Sequence, residues 1–156
     1  MTYVGYEIDL SDLDEMLARA EGELRLEDSE LARIGARAAF MIKGRTASGT
    51  DYAGNPFERY SESYADFREE HGRNTSPVDL LFEGHMLAGL QNFVEGGTAV
   101  VSFASASEAR KANWHNEGTR RMPQRRFLDM LEDGDEEQTL AEMAANFMAE
   151  RIGRLA

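Results

Sequence analysis

LQNFVEGGTAVVSFAS, residues 90–105, is the stretch that decides the fold. Gln91 to Val94 and Thr98 to Phe103 are rich in aromatic and β-branched residues, and Glu95, Gly96 and Gly97 supply a turn between them. Two such runs around a glycine pair predict an antiparallel hairpin. Side chains alternate along a strand, so Val101 and Phe103 share one face and Val100 and Ser102 the other. Helical patterns flank the hairpin on both sides, which makes the expected fold α+β.

Working upstream, residues 9–25 predict a helix with Leu10, Leu13, Leu17, Ala20 and Leu24 at helical spacing, capped by Asp9 or Ser11. Residues 28–43 predict a second, with Leu31, Ile34, Ala38 and Met41 or Ile42 as its stripe, Asp28 or Ser29 as cap and Gly44 as stop. The two also fit one bent helix. Ser61 to Glu70 predicts a short helix, and Asp79 to Leu90 suits either a short helix or the entry to a strand. Downstream, Ser107 to His115 predicts a helix ending near Gly118. Arg125 to Met130 predicts a third strand, with Pro123 at its start, where a missing N–H is tolerated. A final helix begins at Asp133 and Gly134, with Leu140, Met143, Ala144, Phe147, Met148 and Ile152 as its stripe. The expected architecture is a small antiparallel sheet, hairpin plus third strand, packed with N-terminal and C-terminal amphipathic helices. One domain spans 1–156: N-terminal helices over 1–43, a central loop and short helix over 44–78, hairpin, helix and third strand over 79–130, and the C-terminal helix over 131–156.

The central loop is unusual. Gly49, Gly54, Asn55 and Pro56 punctuate it, yet Tyr52, Phe57, Tyr60, Tyr64 and Phe67 follow at intervals of three to five residues. Disordered segments are poor in aromatics. A long loop pinned by rings is therefore expected to be ordered, and long ordered loops in compact domains usually carry function.

Net charge is −12, unevenly placed. Residues 1–30 hold ten acids and two bases, and residues 129–156 hold eight acids and two bases, whereas 31–128 hold eleven acids and thirteen bases. Two readings fit acidic ends: solvated helix faces, or walls that keep DNA from sticking to a channel. The overall sign disfavours tight phosphate binding. There is no cysteine, which excludes a disulfide scaffold or a thiolate metal site. No apolar run approaches the roughly 18 residues of a membrane span, and MTYVGYEIDL lacks the pattern of a secretory signal. A soluble cytoplasmic product is expected.

No catalytic, cofactor-binding or metal-ligating constellation stands out. His71, His85 and His115 lack the i, i+4 pairing that sets two imidazoles on one helix face. GRTASG lacks the lysine of a phosphate loop, and Ser48, Ser61 and Ser63 lack a nucleophile elbow. Asp51, Glu58, Glu62 and Asp66 suit a solvated face or an acid/base pair. The densest positive cluster is Arg120, Arg121, Arg125 and Arg126. Its readings are ion pairs to the chain's own acidic helices, pairs between copies, or DNA contact. Trp114 reads as a core anchor or an interface anchor.

The run GRTASGTDYAGNPFERYSESYADFR from Gly44, then PVDLLFEGHML, ANWHNEG and MPQRRFL, resembles the bacteriophage virion-morphogenesis and tail-completion family of Mu-like and related tailed phages. The shared pattern is an arginine, a Gly- and Asp-containing turn with an aromatic, a Tyr-containing helix start, Leu-x-x-x-Gly-x-Met, His-x-x-Gly and Met-Pro-x-Arg-x-Phe. It spans about Ile34 to Leu128, roughly three fifths of the chain. Phe82-Glu83-Gly84-His85 stands where the family commonly has Thr-Gly before the Met, and Arg126 where a Pro is common. The resemblance implies a non-enzymatic neck protein that completes the tail and helps join it to the head, as a ring of about six around the DNA path. It would be made in the host cytoplasm and reside in the virion, with other tail, neck and head-connector proteins as partners and no membrane. DNA would pass through without sequence-specific binding. Arg45, Asp51, Gly54, Tyr60 and Tyr64 would then fix the central loop as a docking arm, Trp114 would anchor a contact, and the four late arginines would meet acidic partners. Two other classes compete: an acidic cytoplasmic adaptor binding through its amphipathic terminal helices, and a small hydrolase using the central carboxylates and His115.

Overall fold

The computed structural model describes residues 25–130, 132 and 134–154. The helix predicted over 9–25 lies, except for Arg25, outside the described residues. The first described helix, α1, runs Asp28–Ala47. Glu30 reaches back to accept the Glu27 N–H at 2.8 Å, so the cap forms one residue earlier than Asp28 or Ser29. Gly44 does not stop it. The helix continues a further turn to Ser48, whose N–H and hydroxyl both donate to the Gly44 carbonyl.

The chain then forms α2 over Glu62–Glu70, the single turn α3 over His85–Ala88, strands β1 (Leu90–Glu95) and β2 (Thr98–Phe103), α4 over Ala106–Glu117 and α5 over Asp135–Gly153. The fold is α+β, with helices on both sides of the hairpin in sequence. The hairpin pairs Leu90 with Phe103, Asn92 with Val101 and Val94 with Ala99. Gly96 and Gly97, at φ 57° and 77°, form the two-residue loop, a conformation that glycine adopts without steric cost.

α1 lies on the face of the sheet that carries Asn92 and Ala99. Gly35 permits this approach: a Cβ there would stand 3.0 Å from Asn92 Cβ. The Asn92 amide donates to the Ala32 carbonyl at 3.0 Å, so the polar group under the helix is satisfied. Val101 and Phe103 pack at the rim of a core made of Ile42, Phe57, Val78, Leu80, Met86, Leu87, Leu90, Ala112 and Phe127. Most of that core comes from the central loop and its neighbours. Burying each large apolar side chain there contributes about 1.5–3 kcal/mol.

α5 packs on α1, burying Phe147, whose ring carries Arg33 at 4.7 Å. The helices are tied at both ends, antiparallel: Arg45 near the end of α1 pairs with Glu136 in the first turn of α5, and Glu30 at the start of α1 pairs with Arg151 near the end of α5. The acids Asp135, Glu136 and Glu137 also sit where the helix dipole favours them.

The third strand expected over Arg125 to Met130 does not form; among the described residues the sheet has two strands. The reason is that this segment's backbone groups are taken from other directions. Arg125 N–H donates to the His115 carbonyl at 2.7 Å, and the Arg126 carbonyl accepts from Tyr52 N–H at 3.1 Å. Asn116 Oδ1 accepts from both Phe127 and Leu128 N–H at 3.0 and 3.1 Å. Arg45 donates to the Phe127 and Asp129 carbonyls. Backbone groups committed in these directions cannot also enter a strand ladder.

Candidate functional site

Tyr60, Tyr64 and Phe67 are spaced so that the start of α2 presents its rings on one side. The structure extends them into a ladder. Tyr64 meets Tyr60 edge-on at 5.2 Å between centroids, Phe67 stacks on Phe82 at 5.5 Å, and His71 tilts against Phe67 at 4.2 Å. Edge-to-face and offset stacks of this kind add about 0.5–1.5 kcal/mol each beyond area burial.

Beneath the rings lies Arg68, 1% exposed. Its guanidinium donates to the Asn74 carbonyl at 2.6 Å, to Asp79 Oδ1 at 2.9 Å and to the Leu81 carbonyl at 2.9 Å, and sits 4.5 Å from the Tyr60 centroid. Asp79 also accepts from Leu81 N–H at 2.9 Å. A buried charge is tolerated when it is paired and its donors are used, and both conditions hold here. The pair folds 74–81 against α2, and it holds Leu80 at φ 54°, an uncommon value for a non-glycine residue. Tyr60 OH accepts the Leu80 N–H at 3.3 Å, and burial pushes the phenol's pKa up.

Two adjoining clefts open beside this ladder, one of about 280 Å³ and one of about 340 Å³. Tyr60, Tyr64, His115 and Met122 line both. Phe82, Met86 and Trp114 close the first, and Pro123 and Arg121 the second. Trp114 is 50% exposed, which settles it as a surface ring and not a core anchor. His115 is mostly buried, and burial, with the neighbouring Arg125 charge, holds its pKa down to about 4. Its Nδ1 is buried without a hydrogen-bond partner, and no carboxylate bonds to the ring among the described residues.

The residues singled out from sequence fall into two groups and one outlier. Tyr60, Tyr64, Trp114, Arg121 and Arg125 gather at the clefts. Arg45, Asp51 and Gly54 gather at a separate hollow of about 270 Å³ beside Glu136. There Asp51 Oδ1 accepts from Ala53 and Asn55 N–H at 2.9 and 2.8 Å, closing the turn at Gly54, φ 82°. Arg126 borders this turn, 4.8 Å above the Tyr52 ring and paired with Asp129 at 2.6 Å. Arg120 is exposed, apart from both groups.

Arg125 differs from the expectation of a surface arginine. It is 4% exposed and donates to the Glu58 and Arg59 carbonyls at 3.0 and 3.1 Å, with its charge 5.2 Å from the Tyr60 ring. It anchors the end of the central loop inside the chain. Arg120, Arg121 and Arg126 are the exposed members of the cluster; Arg126 pairs with Asp129, and neither the Arg120 nor the Arg121 guanidinium pairs with a carboxylate among the described residues. Sequence reasoning missed Arg68, Asp79, Phe82 and the methionines. Arg68 was open to discovery, since it follows Tyr64 by four and therefore shares the aromatic side of α2. Asp79 and Phe82 come to it only through the folding of the loop.

Chemically, the clefts offer ring faces and flexible thioethers to an apolar group, with basic side chains around them. Aromatics, methionine and arginine are the residues that dominate protein–protein hot spots. Among the described residues no three His, Asp or Glu side chains come together as a metal-binding group, and no helix is long and apolar enough to cross a membrane. Comparison with known proteins found no matching family, no matching curated protein and no matching solved structure.

Proposed function

We propose that this protein is a structural component of a phage neck, which completes the tail and helps join it to the head as a ring around the DNA path. The observation that carries the reading is the cleft pair: a half-exposed Trp114 lines the first with Tyr64, Met86 and Met122, and Arg121, which has no carboxylate partner among the described residues, lines the second. This is the composition of a contact surface between proteins. The ordered run of motifs shared with the tail-completion family supports it from a second direction. Several of those motif residues act as joints of the fold: Arg45 ties α1 to α5, Asp51 closes the loop, and Arg125 seals its end. The mechanism is geometric. The ring caps the tube and presents a surface to the connector, and no bond is made or broken.

The adaptor reading draws on free apolar faces of the terminal helices. In α5 that face is partly used, because Phe147 is buried in the chain's own packing on α1, while Ile152 stays half-exposed. Deleting the gene from the phage or prophage that carries it tests the neck reading. Electron microscopy of the lysate is expected to show filled heads and separate tails. Normal yields of joined particles would overturn the reading.

A further inference from the structure

We infer that the exposed face of α1 around Phe40 docks on the acidic face of α2 of a second copy of this chain. Arg33, Arg37, Phe40 and Lys43 recur at helical spacing, so one face of α1 carries three bases around a ring that is 66% exposed. The Arg37 guanidinium lies 5.5 Å from that ring. After Glu30, α1 holds no acid. Arg37 and Lys43 have neither a side-chain hydrogen bond nor a carboxylate partner among the described residues, whereas Arg45, on the same helix, is paired with Glu136. Between this face and the start of β1 runs an open groove of about 370 Å³, lined by Ala36, Ala39, Phe40 and Lys43 on the helix side.

α2 has the opposite sign. Glu62, Asp66, Glu69 and Glu70 share one face by their spacing, and all four are exposed. The one base of this helix, Arg68, is buried with its donors used inside the chain, so it does not offset that face. Phe67, 42% exposed, stands three residues before Glu70 and gives the acids an apolar border. The two helices thus present opposite charge, each beside an exposed ring. No ion pair engages the four α2 carboxylates among the described residues, and none joins α1 to α2 within one copy. Complementary faces that stay apart in the monomer can meet only between copies. Each copy brings one face of each kind, so the contact is head-to-tail, the kind that closes into rings. Tyr64, on the same helix, lines both clefts, which makes the contact continuous with the Trp114 surface.

Charge exchange on the full chain tests this. One variant carries Arg37→Glu and Lys43→Glu, the other Asp66→Lys and Glu70→Lys. None of the four side chains is buried, and thermal melts verify that each variant folds. Arg110→Glu with Arg154→Glu, both exposed, is a control that changes net charge as much as the first variant does. Light scattering across protein concentration reads association. Each variant alone is expected to associate about tenfold more weakly than the parent, the size of two reversed surface contacts. An equimolar mixture of the two is expected to recover, because every α1 face then meets an α2 face of opposite sign. The control is expected to match the parent, and Phe40→Ala to weaken association at an unchanged melting temperature. Variants that associate like the parent, a mixture no stronger than its components, a control that loses association equally, or a monomeric parent would each overturn the inference. The contact rests on the assembly reading in needing copies to meet, yet the two fail separately. A mixture that does not recover, with separated heads and tails on gene deletion, removes the contact and leaves the neck role. Recovery in the mixture, with normal virions on gene deletion, does the reverse.

Discussion

Arg68 shows how much one side chain decides here. Its guanidinium closes three contacts that no other residue can replace, and Asp79 is buried opposite it. Arg68→Ala is expected to destabilise the chain by about 3–5 kcal/mol, because it leaves the Asp79 charge buried and unpaired. Urea unfolding followed by circular dichroism measures this, and a loss under about 1 kcal/mol would show the pair to be dispensable. His115 gives a pH signature. Folded, its pKa is about 4, against 6.5 ordinarily. Between those values the unfolded chain binds a proton that the folded chain refuses. Stability is therefore full above about pH 6.5 and falls as pH drops toward 4, by at most about 3 kcal/mol at about 1.4 per pK unit. His115→Gln is expected to flatten that part of the profile. Thermal melts at pH 7 and pH 4.5 check it, and an equal loss in both proteins would contradict a buried neutral imidazole. Arg125 works in the same direction as burial, since its nearby charge also disfavours protonation of the ring.

At the scale of elements, local pattern was legible where the chain itself sets the structure. The hairpin over 90–103, its Gly96–Gly97 turn, the short helix from Glu62 and the helix ending at Gly118 all follow from periodicity and turn chemistry. Patterns failed where distant groups decide. Arg125 to Met130 looks like a strand, but Asn116, Tyr52, His115 and Arg45 consume its backbone groups, and none of these is visible from the segment alone. Gly44 looks like a helix stop, but Thr46 and Ser48 carry α1 past it by donating to the Ile42 and Gly44 carbonyls. The candidate site was half legible for the same reason. Tyr60, Tyr64 and Trp114 announced themselves, whereas Phe82, Asp79 and Met122 join them only by folding. Gly44 yields a direct prediction. It sits inside a helix, and a methyl group added there would meet nothing within 4 Å, so Gly44→Ala is expected to stabilise the chain by about 0.5–1 kcal/mol. A raised urea midpoint at unchanged slope would agree, and a lowered midpoint would place the helix end at Gly44 after all.

For the whole molecule, the charge pattern and the clefts point outward. The α1–α5 pair uses its own ion pairs, Arg45 with Glu136 and Arg151 with Glu30, to hold itself together. Arg120 and Arg121 remain exposed without carboxylate partners among the described residues, on a chain whose net charge is −12. These basic side chains are open to the carboxylates of a partner. Self-association through a contact that is part apolar and part ionic should weaken as salt rises, because the screening length falls from about 10 Å at 0.1 M to about 3 Å at 1 M. The most direct measurement is the solution mass of the full chain by light scattering, across protein concentration and salt, beside Trp114→Ala. The account predicts a closed species near six subunits at low salt, smaller species at high salt, and a Trp114→Ala protein that stays folded yet fails to assemble at any salt. A monomer at every concentration and salt, or a Trp114→Ala protein that assembles like the parent, would contradict it.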